Sequence, residues 1–254
     1  MTRSQSGHVT DVARVLRLVT RRLAGAPTRL VGVRERDMAR AVTGALEEVL
    51  DCEVRSRVLP VASWPSLGRS AVDVVASDGD DRPLVVAELK WSQRAADKVW
   101  EVLWDLFKLA LIAGEHPSAD PLLITAAPTG VWPHACCGDV FDGGTFSVEE
   151  LCARRFAIGA RRLVWDELIG GGYERCPLRL PAEIETIVAG MTTVADESGE
   201  WSLRAVRVKS ADRLVDVVDG WPCGGRPADA RYPRRAHREA SSEQARGGLR
   251  GNAA

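Results

Sequence analysis

Lysine is nearly missing from this chain of 254 residues. Of 34 basic side chains, only Lys90, Lys98, Lys108 and Lys209 are lysine, and the rest are arginine. Arginine is the default cation here. A lysine kept against that bias suggests a place where a compact ammonium with a shiftable pKa serves better than a planar fork. Three of the four fall within residues 90–108. Net charge is also close to absent, at −1, which excludes an overall basic field and makes any nucleic-acid surface local. No apolar run approaches the ~20 residues of a membrane span. Residues 1–8 are polar where a signal peptide carries its apolar core. Six cysteines without an export signal are expected as reduced thiols. These absences predict a cytoplasmic protein with no membrane partner.

What is present is an ordinary globular composition, 45% hydrophobic and 27% charged, in a length that suits one large or two small domains. The most informative stretch is 71–91. Two apolar, β-branched runs, 71–77 and 84–91, flank a turn cluster at 78–83, which predicts a β-hairpin. Apolar residues occupy both parities of each run, so both faces are expected to be covered. Against that background Asp73, Glu88 and Lys90 are charges in buried strands. Glu88 and Lys90 are two apart and share a face. With a loop at 79–82, Asp73 falls opposite Glu88, their side chains about 5 Å apart. Unpaired burial of such groups costs several kcal/mol, which favours a site that uses them.

The chemistry follows from the residue types. Repulsion between two close carboxylates is relieved by a divalent cation with oxygen ligands, most simply Mg²⁺, with Mn²⁺ as its substitute. The adjacent lysine can orient a water or stabilise developing negative charge, and a metal-bound water gains acidity while phosphate charge is neutralised.

An aspartate on one strand followed by acid-x-lysine on the next resembles the signature of the PD-(D/E)XK, or restriction-endonuclease-like, nuclease superfamily. Asp73 stands as the first acid and Glu88-Leu89-Lys90 as the second element, with Val72 where the name has proline. The resemblance covers about 34–128 and includes the approach Gly68-Arg69-Ser70-Ala71-Val72-Asp73. It implies an α/β fold: an α-β-β-β-α-β core with a central mixed sheet. It also implies Asp73 and Glu88 as metal ligands, the Leu89 backbone carbonyl completing the shell, and Lys90 positioning or activating the attacking water. An acid from the helix before the first strand often joins such a site, and Glu35 matches best; a surface salt bridge is its alternative role.

Around the hairpin, periodicity predicts helices over 9–23, with Thr10 as N-cap, and over 34–50. The first carries a basic face of Arg14, Arg17, Arg21 and Arg22, read foremost as a solvated face. A strand is expected at 52–60. The strongest helical signal is 95–113, where Lys98, Glu101, Asp105 and Lys108 form one polar stripe. These are good helix ion pairs; the resemblance adds Lys98 and Lys108 as auxiliary site residues. A buried strand follows at 121–127.

Beyond it, His134, Cys136 and Cys137 invite a zinc reading but lack a second ligand pair, so the spacing argues against it. A helix opens at Ser147 over 148–155, a strand is expected at 161–165 and a weak helix at 181–188. Alternation predicts a strand at 201–208 with 213–218 as its hairpin partner. Residues 225–254 are rich in arginine, alanine, glycine and serine and are expected as a disordered basic tail.

The organisation expected is an N-terminal helix (1–27), a nuclease-like core (28–130), a C-terminal α+β extension (131–224) and the tail (225–254). The activity expected is Mg²⁺-dependent hydrolysis of nucleic-acid phosphodiesters, DNA foremost, with a homodimer left open. The alternatives are a non-catalytic module binding nucleic acid or protein on the same fold, and a hydrolase or binding protein unrelated to nucleic acid.

Overall fold

A computed structural model describes residues 10–25, 29–59, 71–91, 99–129, 155–157, 178–181, 183–209, 214–218 and 221–222. The predictions at 134–137, 148–154, 161–165 and 225–254, and Lys98, lie outside the described residues.

Helix α1 (Val12–Ala24) starts one residue later than the Thr10 cap predicts. Asp11 is the N-cap, its carboxylate accepting the Arg14 N–H at 2.9 Å. Val12, Val15, Leu16, Val19 and Leu23 are buried on one face. Arg14, Arg17, Arg21 and Arg22 are exposed, and Arg22 ties α1 to Glu48 at 3.0 Å. Helix α2 (Glu35–Leu50) buries Met38, Ala41, Val42, Ala45 and Leu46 and ends on Asp51 in the left-handed region.

Strand β1 (Glu53–Val58) pairs antiparallel with β2 (Ala71–Ser77), and β2 with β3 (Pro83–Trp91). The β2–β3 turn is closed by Asp78, which accepts the N–H groups of Asp80 at 3.0 Å and Arg82 at 2.9 Å. Helix α3 (Val99–Glu115) then leads into β4 (Asp120–Pro128), which runs parallel to β3. A crossover helix is what a parallel pair requires.

Two expectations fail in the C-terminal half. The weak helix at 181–188 is instead the end of β6 (Leu178–Pro181) and the start of β7 (Glu183–Asp196). Glu183-Ile184-Glu185-Thr186-Ile187 alternates at period two, and its β-branched residues suit a pleated surface better than a helix. The strand at 201–208 is β8 (Gly199–Val208), but its partners are β7 and β4. The predicted hairpin partner is β9 (Leu214–Val218), which pairs with β6 and with β10 (Trp221–Pro222) in a separate sheet. The short β5 (Arg155–Ala157) borders β7.

The main sheet is therefore mixed, in the order β1-β2-β3-β4-β8-β7-β5. Strands β7 and β8, which fall in the predicted extension, are continuous with it through β4. Odd residues of β3 (Val85, Ala87, Leu89, Trp91) and even residues of β4 (Leu122, Ile124, Ala126) share one core with α1 and α2. The opposite parity of each strand faces α3. Burial on both faces explains the near-continuous apolar runs. Helix α1 lies so close to β7 that a Cβ on Gly190 would meet Leu16 Cδ1 at 3.0 Å. Among the described residues no helix is long and apolar enough to cross a membrane.

Candidate functional site

The site is built where β2 and β3 turn their charged face toward α3. Regular pairing runs from Val74–Ala87 through Val75–Val86 to Ala76–Val85; Asp73 precedes it on β2 and lies close enough to Glu88 for its charge to act there. A bulge between Ala76 and Ser77 takes up the difference between the five-residue turn and the four-residue loop predicted. Asp73 is half-buried, and its Oδ2 accepts the Leu89 N–H at 2.8 Å. Leu89 itself sends its side chain into the α1–α2 core.

Glu88 and Lys90 both face α3, which answers with opposite charges. Lys108 Nζ contacts Glu88 Oε1. Asp105 Oδ2 lies 2.7 Å from Lys90 Nζ, and Asp105 Oδ1 lies 3.7 Å from Lys108 Nζ. The result is an alternating chain, Glu88–Lys108–Asp105–Lys90, with every member under 9% exposed. Neither Glu88 Oε1 nor Asp105 Oδ2 has an aligned hydrogen-bond donor, although both sit at ion-pair distance from an ammonium. Charge proximity, rather than bond geometry, holds them.

Glu35, at the start of α2, comes to the same end of β3. Its Oε2 accepts the Trp91 N–H at 3.4 Å, a long contact. Its charge also reaches Lys90. Glu35 thus comes to the edge of the charged cluster. Across the sheet, Lys90 lies beside Thr125 of β4 and Thr125 beside Arg204 of β8, which continues a polar row away from the carboxylates.

Burial dominates the electrostatics. It pushes the Glu88 carboxyl well above its usual range, the Asp105 and Asp73 charges push the same way, and Lys108 only partly opposes them. Asp105 is likewise raised by burial, against the pull of Lys90 and Lys108. For Lys90, burial acts to lower the pKa, but the nearby carboxylate of Asp105, then those of Glu35 and Glu88, outweigh it and hold the ammonium above its ordinary value. These carboxylates favour the charged form of Lys90.

Among the described residues, four carboxylates (Glu35, Asp73, Glu88, Asp105) stand against two ammonium groups (Lys90, Lys108), so full ionisation of these six leaves two negative charges in excess. One divalent cation matches that excess. Among the described residues no three His, Cys, Asp or Glu side chains gather as a metal-holding group. Mg²⁺, however, usually takes one or two carboxylates and fills its octahedron with water and substrate phosphate. The charge and donor chemistry of Asp73 and Glu88 fit such an ion.

Asp105 is the residue that sequence reasoning underrates. In the polar stripe of 95–113 it is one of four charges suited to helix ion pairs; in the structure it links both lysines. The available signal is its i, i+3 spacing to Lys108 on a helix whose neighbouring positions, Leu106 and Phe107, are wholly buried. An open groove of about 590 Å³ lies at the other end of the hairpin, between Leu50, Cys52, Arg55 and Asp78, and holds none of the motif residues. Compared with known protein families, curated proteins and solved structures, the chain has no match.

Proposed function

We propose that this chain is a metal-dependent nuclease of the PD-(D/E)XK type, hydrolysing nucleic-acid phosphodiesters, with DNA as the first substrate class to test. The observation that carries the reading is the Asp73 side chain bonded to the Leu89 N–H and acting on Glu88, with Lys90 two residues further on the same buried face. Two like charges set side by side in a dry sheet destabilise the fold, and an apolar pair there would be neutral or better. The order α2-β1-β2-β3-α3-β4, with the acids on its second and third strands, supports the same reading.

Asp73 and Glu88 would hold a Mg²⁺ or Mn²⁺ ion, with the Leu89 carbonyl as a further oxygen. Such an ion, when bound, supplies an acidified water and neutralises a phosphate oxygen. Lys90, in its charged form, orients a water by donating to it and offsets negative charge that develops on the phosphate. Asp105 keeps that ammonium directed, and Glu35 adds a carboxylate at the rim.

One observation favours the rival reading, a non-catalytic module for nucleic acid or protein on the same fold. Glu88 and Lys90 are each already matched by a charge on α3, so these two groups have structural partners without a metal or substrate. Cleavage of labelled duplex DNA, single-stranded DNA and RNA in Mg²⁺, Mn²⁺ or EDTA separates the two. Metal-dependent products that vanish in EDTA and in Asp73→Asn are expected; binding without cleavage of any form would establish the module instead.

A further inference from the structure

We propose that Lys108 is an internal counter-ion that occupies Glu88 in place of the metal and moves to Asp105 when a divalent cation arrives, releasing Lys90 toward the substrate. This rests on Asp73 and Glu88 being the metal ligands.

The geometry is that of an exchange. Lys108 has two carboxylates within reach: Glu88 Oε1 in contact and Asp105 Oδ1 at 3.7 Å. Closing the second distance to an ordinary charge-assisted contact takes a shift of about 1 Å, within the range of a side-chain rotation. Asp105 and Lys108 are three apart on α3 and share a face, so the new pair needs no backbone change. A cation on Glu88 repels the ammonium already there, and at low dielectric that repulsion is large. Asp105 is the alternative within reach.

Asp105 Oδ2 lies 2.7 Å from Lys90 Nζ. Once it also receives Lys108, one carboxylate serves two ammonium groups and its hold on Lys90 is divided. Lys90 stands two residues from Glu88 on the same strand face, about 7 Å along β3. A loosened Lys90 therefore remains within reach of whatever binds at Glu88. Arginine would defeat the device, because a bidentate fork on either carboxylate locks the pair. That is a physical reason for lysine at both positions in a chain that otherwise chooses arginine.

The test is calorimetric Mn²⁺ affinity of Lys108→Met and Lys90→Met, two variants that remove the same charge. Exchange predicts that Lys108→Met binds Mn²⁺ about tenfold or more tightly than the wild type, while Lys90→Met changes affinity several-fold less. Equal tightening in both variants would reduce Lys108 to a contributor to the general field and overturn the exchange. Unchanged affinity in Lys108→Met would overturn it as well. If Lys108→Met does not melt cooperatively, Lys108→Gln reads the same quantity. Absence of Mn²⁺ binding in the wild type and both variants removes the metal reading itself and the exchange with it. Binding to the wild type with no response to Lys108→Met removes only the exchange.

Release of Lys90 has its own readout. Selective ¹⁵N-lysine labelling gives only four side-chain signals in this chain. Mn²⁺ is paramagnetic, so Mg²⁺ is used. Mg²⁺ should shift Lys108 and Lys90 together in the wild type, and should leave Lys90 nearly still in Lys108→Met. A shift at Lys108 alone would sink the release step.

Discussion

Asp73 Oδ2 accepts the Leu89 backbone N–H at 2.8 Å, which pins the β2 carboxylate to the β3 residue between Glu88 and Lys90. An amide oxygen can accept the same bond. Asp73→Asn should therefore fold with a melting temperature equal to or above the wild type in EDTA, because it also removes one of the two excess negative charges. Metal-dependent cleavage should drop to background. Asp73→Ala should instead lose about 1–3 kcal/mol, since the Leu89 N–H is left buried and unpaired. Thermal melts and a nuclease assay on both variants check this, and cleavage by Asp73→Asn at the wild-type rate would remove Asp73 from the site.

The pH dependence of stability carries a definite sign. Glu88 and Asp105 have folded pKa values above their ordinary values of 4.5 and 3.8, burial being the first cause of each. Such groups bind more protons in the folded state, so they favour folding at low pH and that contribution is lost as pH rises through the folded pKa. The half-buried Asp78 and the exposed Asp196 are shifted the other way, and their contribution is fully present above their unfolded values. In EDTA the melting temperature should thus fall from pH 5 toward pH 8, and Glu88→Gln should flatten the slope. A rising curve for the wild type with the same slope in Glu88→Gln would contradict the burial of an ionised Glu88.

Divalent metal should reverse part of that loss. At pH 7.5 a saturating concentration of Mg²⁺ or Mn²⁺ should raise the melting temperature by mass action, with about 2.7 kcal/mol available at a hundred times the dissociation constant. The rise should disappear in Asp73→Asn and in Glu88→Gln. An identical rise in the wild type and both variants would place the metal elsewhere.

Lys90→Arg keeps the charge opposite Asp105 but asks a site only 8% exposed to hold a broader group. Overpacking of this kind costs about 1–3 kcal/mol. Single-turnover cleavage of labelled DNA should fall by two or more orders of magnitude, about the worth of one lost electrostatic donor. Affinity for the same DNA should stay near the wild-type value. Intact cleavage in Lys90→Arg would end the catalytic role assigned to Lys90.

Gly190 tests the docking of α1 on the sheet. Its missing Cβ leaves room for Leu16, which is 1% exposed. Gly190→Val should destabilise by about 1–3 kcal/mol through overpacking, and Leu16→Ala in the same chain should recover part of the loss. Additive losses in the double variant, measured by denaturant unfolding, would show that α1 does not press on Gly190.

The hairpin and its register are set by local pattern. Asp73 and Glu88 are 15 residues apart, and a turn cluster with alternating apolar positions on either side leaves few ways to pair such strands. The apolar stripes of α1 and α2 and the paired burial of β3 and β4 are legible for the same reason, because their periods are local properties of the chain. Strand β7 is the instructive miss: two glutamates near a proline resemble a helix start, whereas the two-residue period of 183–187 is satisfied only once β8 lies alongside.

What surrounds the carboxylates follows instead from packing between distant segments. That Lys108 reaches Glu88 and Asp105 reaches Lys90 depends on which face of the sheet α3 covers. That face is chosen by burying the apolar surface of α3 and the sheet together, not by any spacing within 95–113. The insertion of β8 beside β4 is of the same kind, joining residues about 80 apart, such as Thr125 and Arg204. Short-range pattern sets which charges share a strand. Global packing sets which counter-charges they meet, because an ion pair between distant segments leaves no mark on the periodicity of either one.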